Sequence, residues 1–214
     1  MQKSASEILC SNLSQGLHAA AQPLTILRAS LGNDHMDRMT REELAGLATR
    51  SAIEVERVCR LFSCLQQLVS IESIKPQLTE TALLPLLAHA ADGVKLLFEQ
   101  DGMFLNSIVP DVCHPVLANR ARTLQALSNV LLIAHTVSRT QDTVELIVSS
   151  SHPNAVRVVV KNTRSYVDEM NAEQRLNMSL ADANMRSQQA GFSCSLNPFS
   201  VEIEFSGVPS ADTF

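Results

Sequence analysis

One histidine near the amino terminus, His18, combines a reactive side chain with an unusual local pattern. Because imidazole titrates near pH 6.5, a solvent-exposed histidine is largely neutral at neutral pH and can act as a nucleophile. His18 directly follows the apolar residue Leu17 in a leucine-rich helical pattern, and Pro23 lies five positions further on. Proline inside a helix removes a hydrogen bond at a cost of about 3 kcal/mol, so its presence here indicates a functional constraint.

Two long amphipathic helices are predicted to position this histidine. Apolar residues recur three and four positions apart along the first arm, at Leu13, Leu17, Ala20, Leu24, Leu27 and Leu31. A second arm has the same spacing, at Ala48, Ser51, Val55, Val58, Phe62, Leu65 and Val69. Gly32 is expected to end the first arm, and Thr40 with Glu43 forms a capping box that begins the second. His18 is expected to face away from the apolar seam.

Such a hairpin cannot bury both of its seams alone. The pattern therefore predicts either a homodimer, in which two hairpins form a four-helix bundle, or packing of the hairpin against a second domain. Lys75-Pro76 ends the helical section, so we predict a first domain over 1–74 and a second over 75–214.

The second domain has mixed periodicity. Helical patterns cover residues 83–98, 122–137 and 171–189. Strand patterns cover residues 103–109, 144–148, 156–160, 193–196 and 201–205, with a hairpin loop over 149–154 and a turn at Asn197-Pro198. Helices interleaved with a mostly antiparallel sheet predict an α+β fold, an α/β sandwich that follows the helical hairpin.

Composition excludes several classes of function. The 214 residues carry a net charge of −5 and contain no Trp and one Tyr, which argues against nucleic acid as the main partner. No apolar run reaches the roughly 18 residues that a membrane span needs, and the amino terminus lacks a signal-peptide core, so we expect a cytoplasmic protein without a membrane segment. The histidines and cysteines show no metal-ligand spacing, and no metal site is predicted.

The segment from His18 to Thr25 resembles the phosphoacceptor helix of the sensor histidine kinases of two-component signalling. That family carries a motif of the form His-Glu-x-x-x-Pro-Leu-Thr, and His18, Pro23, Leu24 and Thr25 occupy the matching places. The segments 54–61 and 71–75 are similar to the second helix of that domain and its exit. The order of strands and helices after residue 75 is similar to the Bergerat-type ATP-binding fold of the same family.

The resemblance implies a role for His18 as the phosphoacceptor, with Pro23 and Thr25 as parts of the same motif. The implied partners are the receiver domain of a response regulator and, as a further option, an upstream histidine kinase. In the family an acidic residue follows the histidine and helps to orient it, whereas this chain has Ala19. That difference argues against autophosphorylation and leaves a nucleophilic histidine intact.

The parts that would bind ATP in this family are altered. Asn129 matches the first asparagine of the helix that holds Mg²⁺, but Ile133 stands at the second, metal-binding one, and an isoleucine cannot ligate a hard cation. The adenine-binding box should supply Asp-x-Gly after a strand, and we align Lys161 with that aspartate.

The glycine-rich lid of the family is also missing. Its nearest counterpart is Asn177-Met178-Ser179-Leu180, and no glycine occurs between Gly102 and Gly191. Without glycine the backbone cannot approach phosphates closely. The second domain is therefore predicted to be an ATPase-like fold without a bound cofactor.

Three functions remain open at this stage. The leading hypothesis is a dimeric histidine phosphotransfer protein that passes a phosphoryl group through His18 without binding ATP. The alternatives are a non-catalytic dimeric adaptor that binds receivers or kinases, and a divergent but active sensor histidine kinase.

Overall fold

A computed structural model describes residues 14, 17–18, 21, 24–26, 28–29, 39–152 and 155–208. The described residues between positions 14 and 29 are helical. The predicted end of this first helix at Gly32 lies outside the described residues. From residue 41 onward the described residues form four helices and seven strands, in the order α1 (Arg41–Ser73), β1 (Thr79–Thr81), α2 (Leu83–Gln100), β2 (Phe104–Ile108), β3 (Val116–Ala118), α3 (Arg120–Val137), β4 (Thr143–His152), β5 (Ala155–Asn162), α4 (Ala172–Arg186), β6 (Gly191–Leu196) and β7 (Phe199–Ser206).

Helix α1 begins at the predicted capping box. The backbone N–H of Thr40 donates to Glu43 Oε2 at 2.8 Å, and the backbone N–H of Glu43 donates to Thr40 Oγ1 at 3.3 Å. The backbone N–H of Thr40 and, to a smaller extent, its hydroxyl, which donates to the same Glu43 Oε2 at 3.0 Å, hold the pKa of the Glu43 carboxyl below its usual value. The reciprocal pair satisfies two amide donors at the start of the helix. The predicted start of the second arm is confirmed.

The apolar seam predicted along α1 is only partly buried. Val58 and Leu65 are buried and Ser51 is half-buried, but the other four predicted residues are exposed: Ala48, Val55, Phe62 and Val69. The buried side chains lie along an adjacent line, at Leu47, Val58, Leu61, Leu65, Leu68 and Ile71. The helix thus has two neighbouring apolar stripes, and spacing alone did not identify which of them is buried. The four exposed residues are spaced seven apart, and we call them the heptad stripe.

The main sheet is mixed, with strand order β2-β4-β5-β7-β6. Strands β2 and β4 are parallel, and the other neighbours are antiparallel. The predicted pairing of β4 with β5 and of β6 with β7 is confirmed. Both strands of the first hairpin are longer than predicted. Residues 149–152 belong to β4 rather than to the loop, and β5 extends from Ala155 to Asn162. A small second sheet of β1 and β3 was not predicted from the sequence.

Alternation along β5 defines the core face of the sheet. Val156, Val158, Val160 and Asn162 are buried, and the residues between them are only partly covered. The buried face packs with apolar side chains of α2 and α3, including Phe98 and Leu127. A strand with this period presents every second residue to the core. The architecture is α+β, as predicted.

The described residues fall into two compact units. One contains the residues up to Ser70 together with Asn171–Leu176, and the other contains Ile71–Met170 and the residues from Asn177 onward. No helix in the described part of the chain is both long and apolar enough to cross a membrane.

Candidate functional site

His18 is exposed on a helix. Its neighbour Leu17 is exposed as well, and Thr25, two turns further on, donates its hydroxyl to the carbonyl of Ala21 at 2.8 Å. Thr25 therefore makes a hydrogen bond within its own helix, one that bends helices slightly. Pro23 lies outside the described residues. An imidazole in this setting is accessible to a reaction partner.

Ile133, the residue at the predicted metal-binding position, belongs to the core. It is 2% exposed and packs within the main apolar cluster of the second unit. Asn129, one turn earlier on α3, is half-buried, and its amide nitrogen finds no hydrogen-bond partner among the described residues. Mg²⁺ requires oxygen ligands, and of the two residues Asn129 and Ile133 only Asn129 has one. This part of α3 therefore lacks the pair of asparagines expected for metal binding.

The predicted counterpart of the glycine-rich lid is not a loop. Residues Asn177, Met178, Ser179 and Leu180 all lie within helix α4, where Leu180 is buried and the other three are half-buried. Their backbone N–H groups lie in the helix interior, where such groups bond to carbonyls one turn earlier. Backbone amides at this position are therefore not free to bind phosphate.

The strand register places Lys161, the residue aligned with the adenine-binding aspartate, away from the core. Lys161 lies on the face of β5 opposite to the buried valines and forms an ion pair with Glu145 at 3.1 Å, directly across β4. Asn162, the next residue, is 0% exposed and lies on the core face where β5 ends. Asn162, and not Lys161, is therefore the polar residue that faces the core at this end of β5. The alternation of Val156, Val158 and Val160 was the signal that could have placed Asn162.

All the hydrogen-bonding groups of the Asn162 side chain are occupied within the chain. Its amide nitrogen donates to Ser138 Oγ at 2.8 Å and to Asp142 Oδ2 at 3.0 Å. Its carbonyl oxygen accepts from the backbone N–H of Arg164 at 2.9 Å. Asp142, which is 8% exposed, also accepts from the backbone N–H of Arg139 at 2.9 Å. We call Ser138, Asp142 and Asn162 the polar triad; sequence analysis did not identify it as a unit.

The connection from β5 to α4, residues 163–171, is fastened to the rest of the second unit. Ser165 donates its hydroxyl to the carbonyl of Val137 at the end of α3. The N–H of Val167 donates to the carbonyl of Leu196 at 3.2 Å and to the Asn197 side chain at 2.9 Å. Ser165, Val167 and Met170 are buried. A segment with buried side chains and internal hydrogen bonds has little freedom to open.

These residues do not fit a magnesium–nucleotide complex. The residue aligned with the metal-binding asparagine is a buried isoleucine, the residues aligned with the glycine-rich lid lie inside a helix, and the buried Asn162 has a partner within the chain for each of its polar groups. The geometry retains an exposed histidine on one unit and a closed polar centre on the other.

Comparison with known proteins identifies the fold. No protein-family model matches the sequence, and no curated protein is significantly similar to it. Among solved structures, the Acinetobacter baumannii histidine kinase AdeS superposes with a TM-score of 0.71 at 13% identity, covering 90% of this chain and 98% of that one. Histidine kinase ThkA, solved in complex with the response regulator protein TrrA, superposes with a TM-score of 0.76 at 16% identity, covering 96% of this chain and 64% of that one.

A third structure, full-length ShkA in complex with AMPPNP, has a TM-score of 0.63 at 15% identity, covering 94% of this chain and 46% of that one. This chain thus spans about two thirds of the ThkA chain and less than half of the ShkA chain. The fold is that of histidine kinases, with a helical part followed by an ATPase-like α+β domain. The resemblance noted in the sequence is confirmed at the level of fold.

The burial of Ile133 leads to a prediction about stability. Ile133→Asn removes a core side chain and buries an amide, so we expect it to lower the free energy of unfolding by about 3 kcal/mol. The matched control is Leu132→Asn, because Leu132 is the preceding residue of α3 and is 37% exposed; here we expect a loss of less than about 1 kcal/mol. Urea denaturation of both variants measures the difference, and equal losses would contradict the placement of Ile133 in the core.

Proposed function

We propose that this protein is a histidine phosphotransfer protein of a two-component or phosphorelay pathway, with His18 as the phosphoacceptor. The observation that carries the proposal is an exposed helical histidine in a chain with the histidine kinase fold. Residues 1–74 would form the phosphotransfer and dimerisation part, and residues 75–214 a degenerate ATPase-like domain. Pro23 and Thr25 would shape the helix around the histidine.

The chemistry needs only a neutral imidazole and an activated phosphoryl donor. The donor is the acyl phosphate of a receiver aspartate, or the phosphohistidine of an upstream kinase. With an acyl phosphate, the P–O bond to the carboxylate breaks as a P–N bond forms to the lone-pair nitrogen of His18. The phosphorylated imidazolium then loses its remaining N–H proton to water. Transfer to a second receiver reverses these steps, so the chain needs no nucleotide of its own.

The proposal that ATP is not used is supported by three sites of the second unit. Each of them lacks one part of a nucleotide site: Ile133 is buried, residues 177–180 are helical, and both N–H groups of the Asn162 amide donate to partners within the chain.

A receiver domain is the proposed partner. ThkA, which has the same fold, was solved in complex with a response regulator protein. Ala19 lacks the acid that would take up a proton during autophosphorylation, and this favours a chain that receives its phosphoryl group from another protein.

The heptad stripe supports a homodimer through the helical part of the chain. Val55, Phe62 and Val69 are exposed at a spacing of seven, and Leu17 and Leu24 are exposed at the same spacing on the first helix. A repeat of seven keeps a helix face aligned with a partner helix over many turns. A second copy would cover this face and form a four-helix bundle.

A dimeric adaptor without phosphotransfer is the second candidate, and the absence of an acid at Ala19 favours it. An adaptor would bind receivers or kinases through the same surface, and its effect on them would not depend on the imidazole. An active kinase is the third candidate, and it would need nucleotide binding in the second unit.

The leading proposal predicts a label on one histidine. Receiver proteins of the same organism, each phosphorylated by a small-molecule phosphoryl donor, are mixed with the protein in the absence of nucleotide. We expect an acid-labile phosphoryl label on the wild type and its complete loss in His18→Ala. The matched control is His89→Ala, because His89 is also exposed on a helix, and it should be labelled like the wild type.

Two outcomes of that experiment would count against phosphotransfer. One is no label on the protein with any receiver, and the other is a label that persists in His18→Ala. If His18→Ala is unlabelled and still changes receiver activity as the wild type does, the adaptor function is favoured instead.

The dimer has its own prediction. Phe62→Glu places a charge in the centre of the heptad stripe, so we expect the dissociation constant of the dimer to rise at least about tenfold. Ile53→Glu is the matched control, because Ile53 is 56% exposed on the opposite side of α1, and it should leave the constant unchanged. Sedimentation analysis measures both variants. A wild type that sediments as a monomer, or equal effects of the two substitutions, would refute this interface.

A further inference from the structure

We propose that Asp142 determines the identity of residue 162 and thereby keeps the adenine-binding position of this fold closed. In the histidine kinase family an aspartate at this place accepts a hydrogen bond from the adenine amino group. Here the place belongs to Asn162, and the carboxylate of the polar triad comes from Asp142, which lies just before β4. We assign this place to Asn162 because it, and not Lys161, faces the core, and its amide binds a carboxylate that comes from another segment.

The hydrogen bonds of residue 162 require an amide. Its terminal nitrogen, Nδ2, donates two hydrogen bonds, one to Ser138 Oγ and one to Asp142 Oδ2, so residue 162 needs two N–H groups at this atom. The Ser138 hydroxyl cannot reverse its role without loss, because it donates to the carbonyl of Ala134 at 2.6 Å. A carboxylate has only acceptors. An aspartate at position 162 would therefore leave Ser138 without its donor and face the Asp142 carboxylate at about the same 3.0 Å separation.

No other charge on these segments is placed to offset that repulsion. Lys161 lies on the opposite face of the sheet, where it pairs with Glu145. Arg164 is exposed, and its backbone N–H rather than its guanidinium contacts Asn162. Arg139 likewise contacts Asp142 through its backbone N–H, and its side chain is exposed. Two buried carboxylates this close cannot both be ionised.

The same arrangement removes the edge that adenine would need. The adenine amino group requires an acceptor. The Asn162 carbonyl oxygen accepts from the N–H of Arg164, and because the residue is 0% exposed, its second lone pair is out of reach of a ligand. The adenine ring nitrogen requires a donor, and both N–H groups of Asn162 are engaged. The inference rests on the proposed function in one respect, since it explains how the chain can have this fold without using nucleotide.

The experiment is a double-mutant cycle on the full chain at two pH values. We expect Asn162→Asp to reduce the folding equilibrium constant at least about tenfold at pH 8 and much less at pH 5, where one carboxyl is protonated and can donate. Asp142→Asn alone should cost little, because an amide oxygen can accept both hydrogen bonds. The combined variant D142N/N162D removes the charge repulsion, but the acid at position 162 still provides no donor for Ser138. At pH 8 we therefore expect its folding equilibrium constant to lie at least about threefold above that of Asn162→Asp and below that of the wild type.

The cycle remains decisive if the single variant does not fold. A combined variant that folds then supports the coupling, and a combined variant as unstable as the single one overturns it. Wild-type stability of Asn162→Asp at pH 8 also overturns it.

The closed edge is tested by the side-chain amide signals of Asn162 in a nitrogen–proton correlation spectrum. We expect millimolar adenosine to leave these signals unchanged, and a saturable shift would overturn the closure. Neither measurement involves His18, so failure of phosphotransfer and failure of this inference are distinguishable.

Discussion

The hydrogen bonds of the Asn162 side chain are the interaction that joins the parts of the second unit around its polar centre. Through Ser138, Asp142 and the N–H of Arg164 it joins the end of α3, the segment before β4, and the connection that follows β5. The residue is completely buried, so any lost partner would leave a polar group without solvent to replace it. The end of the sheet, the end of the helix and the start of the 163–171 connection thus share one set of hydrogen bonds. A ligand could enter this centre only by breaking them.

The polar centre and the apolar core close this part of the second unit together. The polar groups of Ser138, Asp142 and Asn162 satisfy one another, Ile133 lies in the apolar core, and Ser165 holds the connection against the end of α3. These groups need no ligand to satisfy them. We therefore propose that the second unit does not bind nucleotide and that His18 is the reactive group of the chain.

Much of the fold followed from the sequence, and the differences have physical reasons. Period-2 and period-3.6 patterns located the main strands and helices, and the Thr40–Glu43 pair marked the start of α1 because its hydrogen bonds are local. The buried stripe of α1 was missed because both stripes have the same spacing, and burial depends on what packs against the helix. Lys161 was aligned with the adenine-binding aspartate by its position in a motif, whereas the alternation of the strand places Asn162, and not Lys161, on the core face. The role of Asp142 depends on its contact with Asn162, which lies 20 positions away in the sequence, so no local pattern predicts it.

Whether the fold has closed its nucleotide site is tested most directly by calorimetric titration of the full chain with ATP and Mg²⁺. Ile133 lies in the core, residues 177–180 lie in a helix, and the amide of Asn162 is hydrogen-bonded within the chain. We therefore predict no saturable binding heat up to millimolar nucleotide. Saturable binding in the micromolar range would contradict the closed site and favour an active kinase.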